Sequence, residues 1–205
     1  MSLEQFNQTF RDEHRQLRDM LLGLIDAFES NDAERVREGV EEMAAHAAPH
    51  FEYEGEALYP ALAEVHGEDY VEKLLDEHAQ AIAAAQQLAE IAEQEHLDEE
   101  TLEYGAELVR QLLPHVSDRD GLAVMIEVLE PKAIEKIHKA QKESKKRGVS
   151  LATLSKGAKK RAAKIKKTQN AAKTRKVVAA PSPSAKAGPK VSRSRPAKTA
   201  ARGKK

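Results

Sequence analysis

The sequence predicts an all-α protein: an antiparallel, up-down-up-down four-helix bundle followed by a disordered basic C-terminal tail. Apolar residues recur at helical spacing through four long segments within the first 130 residues. The alternation and the hairpin turns that mark β-strands are almost missing from the same stretch. Acidic and basic residues divide sharply near residue 140, so we expect a bundle domain, residues 1–140, and a tail domain, residues 141–205.

Breaker and capping residues separate the predicted helices. Ser30-Asn31-Asp32 ends the first helix and offers caps for the second, and Gly67 ends the second. Pro131 follows the fourth, and a short basic helix is expected beyond it, over residues 134–146. Helices of this length with short loops are typical of an antiparallel four-helix bundle. The four are predicted over residues 3–29, 33–64, 69–94 and 99–130.

The net charge of −1 conceals two oppositely charged regions. Residues 1–140 carry 11 Lys and Arg against 33 Asp and Glu, whereas residues 141–205 carry 22 against one acid, Glu143. From residue 148 onward the chain is rich in Lys, Ala, Ser and Pro and has no aromatic residue. Such a composition buries too little apolar surface to offset the loss of chain entropy, so the tail is predicted to be disordered.

The residue types exclude several classes of site. Cysteine is absent, which excludes disulfides, zinc–thiolate sites and thiol catalysis and leaves nitrogen and oxygen as metal ligands. The first residues do not resemble a signal peptide, and no run of about 18 apolar residues occurs, so we expect a soluble cytoplasmic protein without membrane contact. Catalytic triads, P-loops and dinucleotide fingerprints are also missing, so none of them competes with a metal site. The sequence names no organic substrate, and enzyme activity is left open.

One short motif occurs twice. "DEHRQ" at residues 12–16 returns as "DEHAQ" at residues 76–80. Each copy is followed by a second histidine that comes directly after a proline, in "APHFEYEG" and "LPHVSDRDG". His14 and His50 are 36 residues apart, and His78 and His115 are 37 apart. We interpret the bundle as two copies of one αα-hairpin, each with two histidines.

In an up-down-up-down bundle the four histidines are expected near one level. His14 and His78 lie about 11 and 9 residues from the starts of their helices, and His50 and His115 lie about 14 and 15 residues from the ends of theirs. The spread of about six residues corresponds to about 9 Å along the bundle. Glu54 follows His50 by four residues and shares its helix face. On the fourth helix the matching residue is Arg119, which cannot ligate, so Asp120 is preferred and Asp118 is the alternative. This nitrogen and oxygen set suits Fe, Mn or Zn, and two carboxylate-bridged ions are the natural arrangement. The candidate ligands are His14, His50, Glu54, His78, His115 and Asp120.

Two prolines directly precede candidate ligands. Pro49 and Pro114 each remove a helical hydrogen bond. They predict either a kink or π-bulge that turns the imidazole inward, or a simple break in the helix. Most acidic residues of the helices, including Asp12 and Asp76, are interpreted as solvated.

Other residues near the candidate site have alternative interpretations. His46, one turn before His50, is an extra ligand, an outer partner of a ligand or a surface residue. Tyr53 and Tyr59 either line the pocket and donate to a bound species or are ordinary core aromatics. The remaining histidines are expected at the surface.

These motifs resemble the hemerythrin-like family, also called the HHE cation-binding domain, over about residues 6–129. The matching pieces are His14, "HFEYEGEALYP" from residue 50, "DEHAQAI" from residue 76, and "HVSDRDG" from residue 115, which fits the family's His-x4-Asp. The resemblance implies an antiparallel four-helix bundle that holds two non-heme irons. It assigns His14 and His50 to one iron and His78 and His115 to the other, with Glu54 and Asp120 bridging.

One position departs from the oxygen-carrying members of that family. They have a further histidine four residues before the one on the third helix, and this chain has Leu74 there. Two histidines then remain for each iron, together with open coordination positions. This departure therefore favours oxygen or peroxide activation, iron sensing or detoxification of reactive species over reversible oxygen carriage. The expected function is a diiron protein that binds or senses oxygen, reactive oxygen or nitrogen species, or iron.

The tail is similar to those of linker-histone-like proteins. Its net charge of +21 predicts sequence-independent binding to phosphate backbones through counterion release. Nucleic acid or another polyanion is thus the expected partner, with association with the nucleoid, although the acidic bundle would compete for the tail. The alternative function is that of a nucleoid-associated DNA-binding protein whose bundle is a metal-free scaffold.

Overall fold

The computed structural model describes residues 2–117 and 120–154, and this part of the chain forms helices and no strand. The all-α prediction is thereby confirmed. α1 has the predicted bounds, and the second predicted helix is divided. The fourth is described on either side of residues 118 and 119, as α5 and α6. The elements are α1 (Leu3–Glu29), α2 (Ala33–Tyr53), a π-helix (Glu54–Leu58), α3 (Tyr59–His66), α4 (Glu68–Ala92), α5 (Glu99–Ser117), α6 (Asp120–Ile126) and α7 (Pro131–Arg147).

Local chemistry sets the helix ends. Ser2 and Gln5 form a reciprocal capping box at the start of α1, which satisfies two backbone N–H groups. Asp32 caps α2 by accepting a hydrogen bond of 3.1 Å from the Arg35 amide. Gly67 joins α3 to α4 at φ 90° and ψ 156°, a conformation that is essentially restricted to glycine.

The second predicted helix does not break at its proline. α2 continues through Pro49, and α5 likewise continues through Pro114. The irregular turn lies further along, where the Tyr59 amide donates to the Glu54 carbonyl five residues earlier. A π-turn of this kind is common at functional sites, because the extra residue rotates the side chains that follow it.

Four helices surround the core. α1 packs against α2 and α5, and α4 packs against the same two helices, so the four contact one another in a ring. None of the helices in the described part is both long and apolar enough to span a bilayer.

Two apolar clusters fill the interior, with a polar layer between them. On α1, Phe10 belongs to one cluster and Leu17 to the other, and His14 lies between the two. The same order is found on α4, whereas the order is reversed along α5 and α6, where Leu112 precedes His115 and Leu122 follows it. The candidate ligands are therefore covered by apolar side chains on both sides of their layer.

The first part of the predicted tail is packed against the bundle. α7 contacts α1, α2 and the π-helix and continues through Arg147. After it, Leu151 and Leu154 are buried, and the Gln86 side chain donates to the Leu151 carbonyl at 2.7 Å. α7 agrees with the short basic helix predicted over residues 134–146. The predicted disorder is wrong for residues 148–154, because Leu151 and Leu154 belong to one of the apolar clusters. The tail from residue 155 lies outside the described residues.

Candidate metal centre

The Glu54 carboxylate lies at the centre of four histidines. Its Oε1 is 3.2 Å from His50 Nε2 and 3.6 Å from His14 Nε2. Its Oε2 is 3.3 Å from His78 Nδ1 and 3.7 Å from His115 Nε2. Five of the six predicted ligands thus meet at one place, as two groups of three that share one carboxylate.

Each helix of the ring contributes one histidine to this cluster. His14 comes from α1, His50 from α2, His78 from α4 and His115 from α5, and Glu54 opens the π-helix. Their exposed fractions lie between 0 and 7%. Such burial of four imidazoles and a carboxylate is costly unless each polar atom is satisfied, so the cluster is not an ordinary piece of core.

Two histidines are oriented by backbone carbonyls. His14 Nδ1 donates to the Phe10 carbonyl at 2.8 Å, which directs its Nε2 at Glu54. His78 uses the opposite nitrogen: its Nε2 donates to the Phe51 carbonyl at 2.9 Å, and its Nδ1 faces Glu54. A ring nitrogen that donates to a carbonyl carries the proton, so the other nitrogen offers a lone pair, as a metal ligand must.

His50 and Glu54 are oriented by side chains instead of backbone carbonyls. His50 Nδ1 is 3.2 Å from Glu13 Oε2, and the Tyr53 hydroxyl donates to the same oxygen at 2.8 Å. The Tyr59 hydroxyl donates to Glu54 Oε2 at 2.9 Å. Both tyrosines are fully buried, and their hydroxyl groups stabilise carboxylates of the site in addition to filling the core.

His50, Glu54 and Tyr53 have shifted pKa values. Burial opposes ionisation of His50, but the Glu54 charge and the hydrogen bond to Glu13 raise the pKa of His50 to about 9. Burial likewise opposes ionisation of Glu54, but the charge of His50 and the other histidine rings around the carboxylate hold its pKa well below its usual value. Burial and the nearby carboxylates raise the pKa of Tyr53, so its hydroxyl remains a donor.

A cation fits the donor atoms that the cluster presents. Among the residues that the structure describes, His14 Nε2, His50 Nε2 and Glu54 Oε1 are buried and make no hydrogen bond. These three atoms face one another within 4.8 Å, although an unsatisfied buried polar atom costs about 1–3 kcal/mol. Imidazole and carboxylate donors suit Fe, Mn or Zn, so a metal ion would satisfy all three at once.

The structure does not test the two candidate aspartate ligands. Asp120 is the first residue of α6, but its side chain is not among those described. Asp118 lies outside the described residues. Asp120 as a ligand therefore stays a prediction. His46 is exposed and contacts Gln16, so of its three interpretations the surface residue is the one that fits.

Glu13 belongs to the site although the sequence does not single it out, since the pattern of acidic residues on the helices predicts that most of them are solvated. It is half-buried and accepts hydrogen bonds from four side chains. Its counterpart in the second copy of the repeated motif, Glu77, is exposed and pairs with Lys73. The motif itself, an acidic residue directly before each histidine, was the available signal.

The comparison with protein families agrees with this geometry. The family model described as the Hemerythrin HHE cation binding domain matches residues 5–145. Neither the search of curated proteins nor the search of solved structures produced a match. The matched region contains every residue of the cluster and most of the 205-residue chain. The chain therefore belongs to the hemerythrin HHE cation-binding domain family.

Proposed function

We propose that this protein is a non-heme diiron protein that binds or senses oxygen, reactive oxygen or nitrogen species, or iron. The bundle in this proposal is the antiparallel four-helix bundle that the sequence predicts. The observation that carries the proposal is the position of Glu54, whose two oxygens each face a separate pair of buried histidines. One carboxylate between two pairs of nitrogen donors suits two ions that share it.

The proposal gives each residue of the cluster a role. His14 and His50 would hold one ion, His78 and His115 would hold the other, and Glu54 and Asp120 would supply carboxylate ligands to both. Iron, when bound, supplies redox chemistry and open coordination positions for a small molecule. The two apolar clusters exclude water from this layer, and the Tyr59 hydroxyl stabilises the charge on Glu54.

Leu74 supports binding or sensing rather than reversible carriage. It is buried, with 7% of its surface exposed, one turn before His78 on α4. Its side chain offers no ligand atom, so this chain supplies two histidines for each ion. In this proposal the remaining positions are open to the molecule that is bound or sensed.

Anaerobic titration of the metal-free protein with ferrous iron tests the proposal. We expect two equivalents to bind to the wild type and about one to His50→Ala or His115→Ala, because each variant removes a ligand of one ion. His46→Ala is the matched control, since this exposed histidine lies on α2 one turn from His50. A wild type that binds no iron, or that binds it equally well without His50 and His115, would contradict the proposal and leave the metal-free scaffold as the alternative.

The charge distribution favours a second function alongside the first. We propose that the basic tail binds nucleic acid or another polyanion and so brings the diiron domain to it. The support is the excess of 22 basic residues over one acid in residues 141–205, next to an acidic body. Removing residues 155–205 takes away most of the basic tail and keeps every residue that the structure describes. This truncation should abolish binding to duplex DNA in an anisotropy assay. Equal binding of duplex DNA by the truncated and the full-length protein would contradict the proposed role of the tail.

A further inference from the structure

Glu13 connects the candidate metal ligands to the C-terminal helix. Its Oε2 accepts hydrogen bonds from His50 Nδ1 and the Tyr53 hydroxyl. Its Oε1 accepts hydrogen bonds from Gln141 Nε2, at 3.0 Å, and from Lys145 Nζ. One carboxylate of α1 is thus shared between a ligand on α2 and two side chains of α7.

α7 is fixed over this side of the cluster by further contacts. Gln141 is buried, with 3% of its surface exposed, and Ile134 and Ile137 belong to the apolar cluster that contains Tyr53. At the end of the helix, Arg147 forms ion pairs with Glu52 and Glu56, which flank the cluster residue Glu54. The position of α7 therefore determines where Gln141 and Lys145 meet Glu13.

We propose that Glu13 is a positioning residue of the metal centre, and that α7 holds it in place through Gln141 and Lys145. The inference rests on the proposed function, since it assumes that the cluster binds metal. When the Glu13 carboxylate accepts the Nδ1 proton of His50, the lone pair of His50 lies on Nε2, which faces Glu54. The two donors on Oε1 keep the carboxylate from rotating away.

A carboxylate is required at this position because all four of its partners can donate a proton. An ionised carboxylate only accepts, so each of its oxygens can take two of these hydrogen bonds. A glutamine of the same shape replaces one oxygen with an NH2 group, which then points at two donors. Glu13→Gln is therefore a nearly isosteric variant that removes the orienting interaction without leaving a cavity.

His14 and His78 do not depend on α7 in this way. His14 and His78 are oriented by backbone carbonyls of Phe10 and Phe51, which no side-chain substitution removes. Glu77, the counterpart of Glu13 in the repeated motif, is exposed and pairs with Lys73 at 3.8 Å. The inference therefore predicts an asymmetric centre, in which only the ion on the His50 side is sensitive to α7.

The experiment compares matched pairs of full-length variants by anaerobic ferrous titration and by the visible spectrum of the cobalt(II) form. Glu13→Gln should weaken one of the two equivalents by roughly 10–100-fold, leave the other unchanged and alter the cobalt bands. Glu77→Gln, its control, should change neither. Lys145→Met should lower the affinity for the same metal equivalent to a smaller degree, and Lys145→Arg should retain the wild-type affinity. Lys139→Met is the control for Lys145→Met, because Lys139 is exposed on α7 and pairs with the exposed Glu143.

The outcomes separate this inference from the proposed function. A wild type that binds no metal overturns the proposed function and the inference with it. Two equivalents in the wild type and unchanged affinities and cobalt bands in Glu13→Gln overturn the inference alone. If Glu13→Gln does not fold, as judged by circular dichroism, the Lys145 variants decide. Equal metal affinities for Lys145→Met and Lys139→Met overturn the role of α7. A loss of affinity for one equivalent in Lys145→Met that Lys145→Arg restores supports it.

Discussion

At the scale of single residues, the burial of Glu54 among four histidines is the feature that the rest of the molecule has to accommodate. A buried carboxylate is costly unless paired, and the histidines and Tyr59 compensate only part of this cost, because its Oε1 still makes no hydrogen bond. Such incompletely satisfied polar atoms are expected where a protein retains a site for a ligand rather than for its own stability.

A glycine of the core provides a test of packing at this scale. A Cβ added at Gly105 would lie 2.3 Å from Cε1 of Phe28, which is 1% exposed and cannot move into solvent. Gly105→Ala should therefore destabilise the protein by about 1–3 kcal/mol. Gly23 is the control within α1, since an added Cβ there meets nothing within 4 Å. Gly23→Ala should stabilise by about 0.4–1 kcal/mol, and urea unfolding that gives both variants the same sign would contradict this account of the core.

Single residues also show what the sequence was able to predict. Glu54 was predictable because its position four residues after His50 places both on one helix face. Glu13 was not, because two of its partners, Gln141 and Lys145, lie 128 and 132 residues away on α7. Local spacing carries no information about such a contact, and Glu77, with the same neighbours in sequence, is exposed.

At the scale of elements, the bounds of α1 agreed with the sequence because both of its ends carry capping or breaking residues. The prolines predict a kink or a π-bulge at their own positions, whereas the π-helix begins at Glu54, five residues after Pro49. Apolar periodicity is nearly the same for an α-helix and for one with a single inserted residue, so the pattern is too coarse to locate the turn. The chain beyond Arg147 was predicted to be disordered because its composition outweighs two isolated leucines, Leu151 and Leu154.

The start of α5 gives a pH-dependent prediction at this scale. The Asp98 side chain caps α5 by accepting a hydrogen bond of 2.9 Å from the Thr101 amide. Hydrogen bonds from Thr101 hold the pKa of Asp98 below its usual value. Because the folded-state pKa is lowered, the ionised cap stabilises α5 above the unfolded-state pKa, and this contribution is lost as the pH falls through the folded-state value.

The melting temperature of Asp98→Ala measures this contribution. We expect the variant to melt a few degrees below the wild type at pH 7 and the difference to shrink as the pH is lowered towards 3. Asp69→Ala is a suitable control, since Asp69 is an exposed acidic residue in the first turn of α4. A difference between wild type and Asp98→Ala that grows on acidification would contradict the assigned cap.

At the scale of the whole molecule, the division of charge is the dominant property. An acidic body of net charge −22 precedes a basic region of +21, so the overall value of −1 describes neither. The sequence alone establishes this division, because it depends on composition and not on contacts. The packing of α7 over Glu13 lay beyond sequence reasoning, since it joins the first residues of the basic region to the metal-binding layer.

This division predicts how the tail responds to salt. Binding of the full chain to a short DNA duplex should weaken steeply with salt, with log K falling linearly against log[salt], because each neutralised phosphate releases counterions. Salt also screens the electrostatic competition of the acidic region for the tail, which raises the affinity of the tail for DNA. The steep linear fall of log K should therefore appear only above roughly 0.1 M salt. Anisotropy titrations over a range of NaCl concentrations measure it, and binding that does not depend on salt would contradict an electrostatic tail.

The central claim, that two irons share Glu54, is tested most directly by anomalous diffraction at the iron absorption edge from crystals of the anaerobically reconstituted protein. The account predicts two anomalous peaks in the buried layer, one beside His14 and His50 and the other beside His78 and His115, on opposite oxygens of Glu54. A single peak in the layer, or iron only at the protein surface, would contradict it.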